Sequence, residues 1–377
     1  MNICVVSFII SKAFQSPLSN LLSLLDKKDN EISLVCSSIE QIDSSFKNKH
    51  VKWMEIPFKK PTNIILYGLL YIILQLRICF YILKQEKNQE CFLFFMEGVG
   101  LFPMVLVKIL NKPLIWMLPS SILMARSSSK TIFFHFMKYL QSFSAQLSTV
   151  IILYSQNLIG EWNLDRFRNK VHIAHEHFLD FSKFKIFKRY ENRAQIIGYI
   201  GRLSDEKGTL DFLKAIPIII KDNKDVTFFI GGDGILSEKV TTFIEQNELQ
   251  EKVTYNGWIS RTDLPEILND LKLLVIPSKT EGLPNMMIES MACGTPVLAT
   301  SVGSIPDIIK DQDTGFILSN IAPEQIKKDI NRALNHPDLD QISKRSSDFI
   351  SQHFNQRQTV NMFRQILTSL NNKNKKD

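Results

Sequence analysis

Apolar runs with strand character recur through this sequence, several of them without any polar alternation. In the first half they lie at residues 3–10, 32–37, 51–58, 91–96, 114–118, 150–154 and 171–174, and in the second at 194–200, 226–230 and 273–278. A strand with one face in water alternates apolar and polar residues, whereas a strand that is apolar throughout is covered on both faces, as in a parallel sheet between helices. The stretches 16–25, 101–110, 131–145 and 209–220 have the length and spacing of the helices such a sheet requires. The fold class this predicts is α/β, doubly wound. A chain of 377 residues is long enough for two such domains, each with its own core.

Chemistry concentrates at residues 280–289. The apolar run before them predicts a buried strand, Pro284 suits the first turn of a helix, and Gly294 with Pro296 stops it. This places Glu281 in the loop ahead of the helix and Glu289 more than a turn inside it, among Met286, Met287, Ile288, Met291 and Ala292. A carboxylate in that setting is costly to bury unless something hydrogen-bonds it, and ligand hydroxyls are suitable donors. On spacing alone, two glutamates that cap a helix and face solvent fit equally well.

A second concentration follows the strand at 194–200, where the chain reads Gly201-Arg202-Leu203-Ser204-Asp205-Glu206-Lys207-Gly208 before a helix. A strand, glycine, helix junction points free backbone amides at one spot and is a natural anion site. Arg202 and Lys207 add two cations there. The turn at Gly231-Gly232-Asp233-Gly234 is weak evidence by itself.

Taken together, Glu281 and Glu289 with the following Met291-Ala292-Cys293-Gly294-Thr295-Pro296-Val297, the Gly201-Arg202-Leu203 and Lys207-Gly208 pairings, the Gly232-Asp233-Gly234 turn, 253–258 and 300–307 resemble retaining glycosyltransferase family 4. The likeness is dense over 196–318 and only architectural before that. It implies the GT-B architecture, two Rossmann-like doubly wound domains facing across a cleft. The expected division is an acceptor-binding domain at 1–185, a nucleotide-sugar-binding domain at 186–354, and a crossing helix with a polar tail at 355–377. By the same resemblance, Arg202 and Lys207 neutralise the donor's diphosphate, Glu281 contacts the sugar hydroxyls and Glu289 holds the ribose. Gly201, Gly282, Leu283, Pro284 and Asn285 complete the donor-binding set. The implied reaction moves a sugar from a UDP- or GDP-sugar to a glycan or lipid-linked acceptor with retention, in surface polysaccharide or glycoconjugate synthesis. No cofactor or metal is expected, since Asp311 and Asp313 fall in a loop beyond the second glutamate.

Family members often carry a glycine pair in the first loop, which here is Ser11-Lys12-Ala13-Phe14-Gln15-Ser16, and a histidine after the strand at 114–118, where this chain has Pro119-Ser120-Ser121. Glu97 with Gly98 and Gly100, or His175 and His177, are the polar groups left to that half, the histidines in a segment that resembles the family's interdomain linker. Two alternatives share the fold: a nucleotide-sugar 2-epimerase, which needs further acid and base residues, and a glycan-binding member without activity.

Residues 1–190 hold 23 lysines and arginines against 13 acidic residues, and the remainder 22 against 25. A basic first half can concentrate an acidic acceptor or hold the chain on an anionic leaflet. Nucleic acid is not expected, because neither a base-reading basic helix nor a stacking platform is found. Residues 64–83 are nearly all apolar and about as long as a bilayer is thick, yet Gln75 and Arg77 near the middle argue against a spanning helix. A helix of the Rossmann layer and a peripheral membrane contact, helped by Lys59, Lys60, Lys84 and Lys87, both fit. The five cysteines are scattered without CxxC spacing, so neither a disulfide framework nor a metal site is indicated. Residues 1–6 enter a strand-like run without a basic leader, and the expected location is cytoplasmic, on the inner face of the plasma membrane.

Overall fold

The computed structural model describes residues 1–10, 12–26, 31–38, 51–59, 61–95, 100–118 and 132–373. The chain forms two compact units, one of Met1–His177 with Thr359–Asp377 and one of Phe178–Gln358.

In the first unit, strands β1 (Asn2–Ile10), β2 (Glu31–Ser38), β3 (Val51–Pro57), β4 (Cys91–Phe95), β5 (Leu114–Leu118), β6 (Val150–Leu153) and β7 (Val171–Ile173) form one sheet in the order β3-β2-β1-β4-β5-β6-β7. Every pairing is parallel. β4, β5 and β6 are buried at every position, which explains their unbroken apolar sequences. Helix Ile64–Gln85 starts at Asn63, whose side chain accepts from the amides of Ile65 and Leu66. Its Leu74, Ile78 and Ile82 are buried, and Gln75 is buried with its side-chain oxygen on the Phe102 amide at 3.1 Å. The helix is therefore a half-exposed member of the Rossmann layer.

The second unit repeats the winding with β8 (Ile196–Ile200), β9 (Thr227–Gly231), β10 (Val253–Tyr255), β11 (Leu273–Ile276), β12 (Val297–Thr300) and β13 (Phe316–Leu318), all parallel in the order β10-β9-β8-β11-β12-β13. Phe212, Phe228, Val275 and Ile330 sit in its core. In both sheets the winding reverses beside the first strand, between β1 and β4 and between β8 and β11. Ligands of open α/β sheets bind outside the carboxyl ends of the strands at such a reversal.

The units divide at 177/178 and 358/359 rather than at 185/186 and 354/355. Residues 178–185 are tied to the second unit by Leu179 N–H on Phe354 O at 3.0 Å and Asn269 Nδ2 on Lys185 O at 3.0 Å. Thr359 returns to the first, its hydroxyl on His177 O at 3.2 Å. Within the second unit the buried Arg193 donates to the carbonyls of Lys188, Leu271 and Cys293 and to Thr295 Oγ1.

Candidate functional site

The loops after β8 and β11 meet at the reversal point of the second sheet. Between them lies a pocket of about 350 Å³ whose walls include Gly201, Arg202, Lys207, Glu281, Leu283, Pro284 and Asn285. Seven of the nine residues singled out from the sequence thus share one cavity. Gly282 and Glu289 are not among its lining residues.

Gly208 makes the first loop. It ends the turn Asp205–Lys207 at φ 69°, and a Cβ there would stand 2.1 Å from Pro277 O, so the two loops touch backbone to backbone. That contact brings Lys207 to Glu281. Lys207 Nζ donates to Glu281 Oε1 at 2.6 Å, and Ser278 Oγ donates to the same oxygen at 2.6 Å. Glu281 Oε2 receives no hydrogen bond from the described residues. Arg202 is exposed and paired with Glu206 at 2.9 Å, a contact of little energetic weight in water.

The Glu281 turn is clamped from behind. Ser304 donates to Gly282 O through its amide at 2.9 Å and its hydroxyl at 2.6 Å. Gly303, at φ 58°, lets the loop pass where a Cβ would lie 2.2 Å from Glu281 O. Gly282 is thus a backbone anchor. Helix Asn285–Ala292 begins one residue after Pro284, and Asn285 and Met286, whose amides find no carbonyl acceptor among the described residues, both line the pocket.

Glu289 sits a turn deeper and is 2% exposed. Arg261 Nη1 approaches its Oε1 to 3.1 Å, off the axis of a good hydrogen bond, so that oxygen is a buried acceptor beside a cation without an aligned donor. Burial pushes the carboxyl up to about 7, with Arg261 pulling the other way. Arg261, Ser278 and Ser304 were not singled out from the sequence. Ser278, directly after the strand, is the one a reader of sequence could have found. Asp311 and Asp313 pair with Arg332 at 3.0 Å and Arg345 at 2.8 Å.

In the first unit, Glu97, Gly98, Ser11 and residues 119–121 lie outside the described residues, and Gly100 precedes helix Leu101–Ile109. His175 and His177 follow β7 in a buried polar cluster with Glu176 and Tyr154. Tyr154 donates to Glu176 Oε1 at 2.6 Å, and His177 Nδ1 is 3.7 Å from the same oxygen. Burial pushes His175 down to about 4 and His177 down to about 3, so this approach is not an ion pair at neutral pH. Burial also pushes Glu176 up to about 7 from 4.5. The folded chain then keeps a proton that the unfolded chain releases between those values, and stability falls as pH rises through that window. Glu176→Gln removes the effect. In chemical denaturation the variant gains on wild type by up to about 3 kcal/mol on going from about pH 5 to about pH 8. A difference that does not change with pH would place the ionisable group elsewhere.

Residues 181–349 match the family model described as glycosyl transferases group 1. The chain is similar to the alpha-D-kanosaminyltransferase of Streptomyces kanamyceticus, 28% identical over 144 residues, 38% of this chain and 37% of that protein. It spans between 28% and 50% of the length of the curated relatives it matches. Among solved structures it is similar to Anabaena Alr3699/HepE in complex with UDP, with a TM-score of 0.74, 16% identity, and 98% of this chain and 100% of the other covered. The apo lipopolysaccharide outer core galactosyltransferase WaaB gives a TM-score of 0.74 at 16% identity over 98% and 99%. These likenesses show the fold: two parallel sheets flanked by helices, as in GT-B glycosyltransferases.

Proposed function

We propose, from the premise that residues 181–349 are a glycosyl transferases group 1 domain, that this chain transfers a sugar from a nucleoside diphosphate sugar to a glycan or lipid-linked acceptor with retention of configuration. The observation that carries the reading is the meeting of Arg202, Lys207 and Glu281 in one pocket at the reversal of the second sheet. The diphosphate lies against the two cations and the first amides of helix Asn285–Ala292. The sugar hydroxyls reach Glu281, and the ribose hydroxyls donate to the carboxylate of Glu289.

As the glycosidic bond breaks, negative charge grows on the departing diphosphate and positive charge on the sugar ring. Cations and amides fixed before the reaction stabilise that separation more than they stabilise the bound donor. Arg202 and Lys207 take the role a metal ion has elsewhere, so chelators leave turnover unchanged in this reading. The acceptor attacks on the face the diphosphate leaves. The UDP of the HepE structure supports a uridine nucleotide, and the galactosyltransferase likeness supports a surface glycan as acceptor.

A thermal-shift panel of UDP, GDP and their sugar conjugates tests the donor assignment. At 100 times its dissociation constant a ligand stabilises by about 2.7 kcal/mol, a clear shift in midpoint. The expected result is a shift with uridine nucleotides, reduced to less than about 1.5 kcal/mol of stabilisation in Glu289→Ala. A panel without any shift overturns the reading.

A further inference from the structure

Helix Ile64–Gln85 turns one side to its sheet and leaves the other bare. On the outward side Ile65, Leu69, Ile72, Leu76, Phe80 and Leu83 are 46–79% exposed. At 100° per residue these six fall within a strip about 80° wide that runs the helix, roughly 30 Å. The neighbouring helix Leu101–Ile109 extends the surface with Phe102 and Ile109, 41% and 72% exposed. A groove of about 390 Å³ opens on the strip, lined by Ile56, Pro57, Ile73, Leu76 and Phe80, with Arg77 as its cation.

The charges beside this surface are mostly positive, with Glu55 and Glu86 the acidic exceptions nearest the helix. Lys59, Arg77, Lys84, Lys87 and Lys108 are all exposed, and none has an ion-pair partner among the described residues. A second copy docked face to face about a twofold axis sets this basic edge against itself. An anionic lipid surface meets both features, taking the apolar strip into its acyl boundary and the cations into its headgroups. The helix does not span, because Leu74, Ile78, Ile82 and Gln75 are engaged with the rest of the unit.

We propose that this face of the first unit docks in the plane of an anionic phospholipid membrane, with an acyl chain in the groove and a headgroup phosphate on Arg77. The inference rests on the first unit alone and holds whatever nucleotide the second unit takes. Flotation of the full chain with phosphatidylcholine vesicles, with and without phosphatidylglycerol, tests it. Wild type floats with the anionic vesicles, and high salt weakens the association by screening. The triple variant Leu69→Ser, Leu76→Ser, Phe80→Ser loses about a hundredfold or more in vesicle affinity at an unchanged unfolding midpoint. Arg77→Glu with Lys84→Glu loses the preference for phosphatidylglycerol. Wild type remaining with the buffer, or a triple variant that floats as well as wild type, overturns the proposal. So does self-association in ultracentrifugation that the triple variant abolishes while vesicle binding stays unchanged.

Discussion

Arg202→Ala and Lys207→Ala each depress turnover by about two to three orders of magnitude, the equivalent of roughly 2.7 to 4 kcal/mol for one lost donor to developing negative charge. The two variants differ in what else they lose. Arg202 is exposed and, among the described residues, its side chain is held only by Glu206, so its removal leaves the fold untouched. Lys207 also neutralises Glu281, which is 8% exposed, and its removal leaves that carboxylate with Ser278 alone. Lys207→Ala therefore lowers stability by about 1 to 3 kcal/mol besides lowering turnover. Initial rates with a sugar nucleotide, beside denaturation of the free protein, separate the two losses. Wild-type turnover in both variants sinks the diphosphate assignment.

Glu289→Ala and Glu281→Ala fail in different ways. Glu289 faces the ribose in our reading, and the ribose is common to the free nucleotide and the sugar donor. Its loss weakens both by about 1.5 to 3 kcal/mol, roughly ten- to a hundredfold. Glu281 meets the sugar, so Glu281→Ala leaves free nucleotide binding nearly unchanged and lowers kcat. The raised carboxyl of Glu289 adds a pH signature. Hydroxyls donate more strongly to the ionised form, so nucleotide affinity falls as pH drops through about 7. Glu289→Gln abolishes that dependence. Calorimetry with the nucleotide alone measures both effects, and equal loss of nucleotide affinity in the two alanine variants means that the sugar does not lie against Glu281.

The sheet strands were legible because burial on both faces leaves a mark in the residues themselves, as in Cys91–Phe95 and Leu114–Leu118. Turns were legible where a glycine or proline had to stand, as at Gly208 and Gly294, both at positive φ. What joins distant loops left no such mark. Lys207 and Glu281 are 74 positions apart, and nothing in either neighbourhood announces a shared hydrogen bond. Arg261 reaches Glu289 from a loop that reads as plain polar sequence. The division near 178 left no mark because Leu179 and Lys185 are held through their own backbone groups, by Phe354 O and by the Asn269 side-chain amide, and a backbone group carries no residue signature. The helix at 64–85 showed its hydropathy but not which side the sheet would cover.

The guanidinium that binds Cys293 O bears on the far end of the same helix. Asn285–Ala292 carries aligned peptide dipoles, with about half a positive charge at its start and half a negative charge at its end. In an isolated short helix the two ends partly cancel at any outside point. Here Cys293 closes the helix, and Arg193 sits on its carbonyl at 2.7 Å without a hydrogen bond to a carboxylate among the described residues. Burial brings Arg193 down to about 10, which keeps it cationic at neutral pH. Arg193 offsets part of the negative end, so the positive end at Asn285 is less opposed and acts as a partial cation that needs no side chain. An anion in the pocket is therefore attracted by a residue that lies about 12 Å away, at the opposite end of an eight-residue helix.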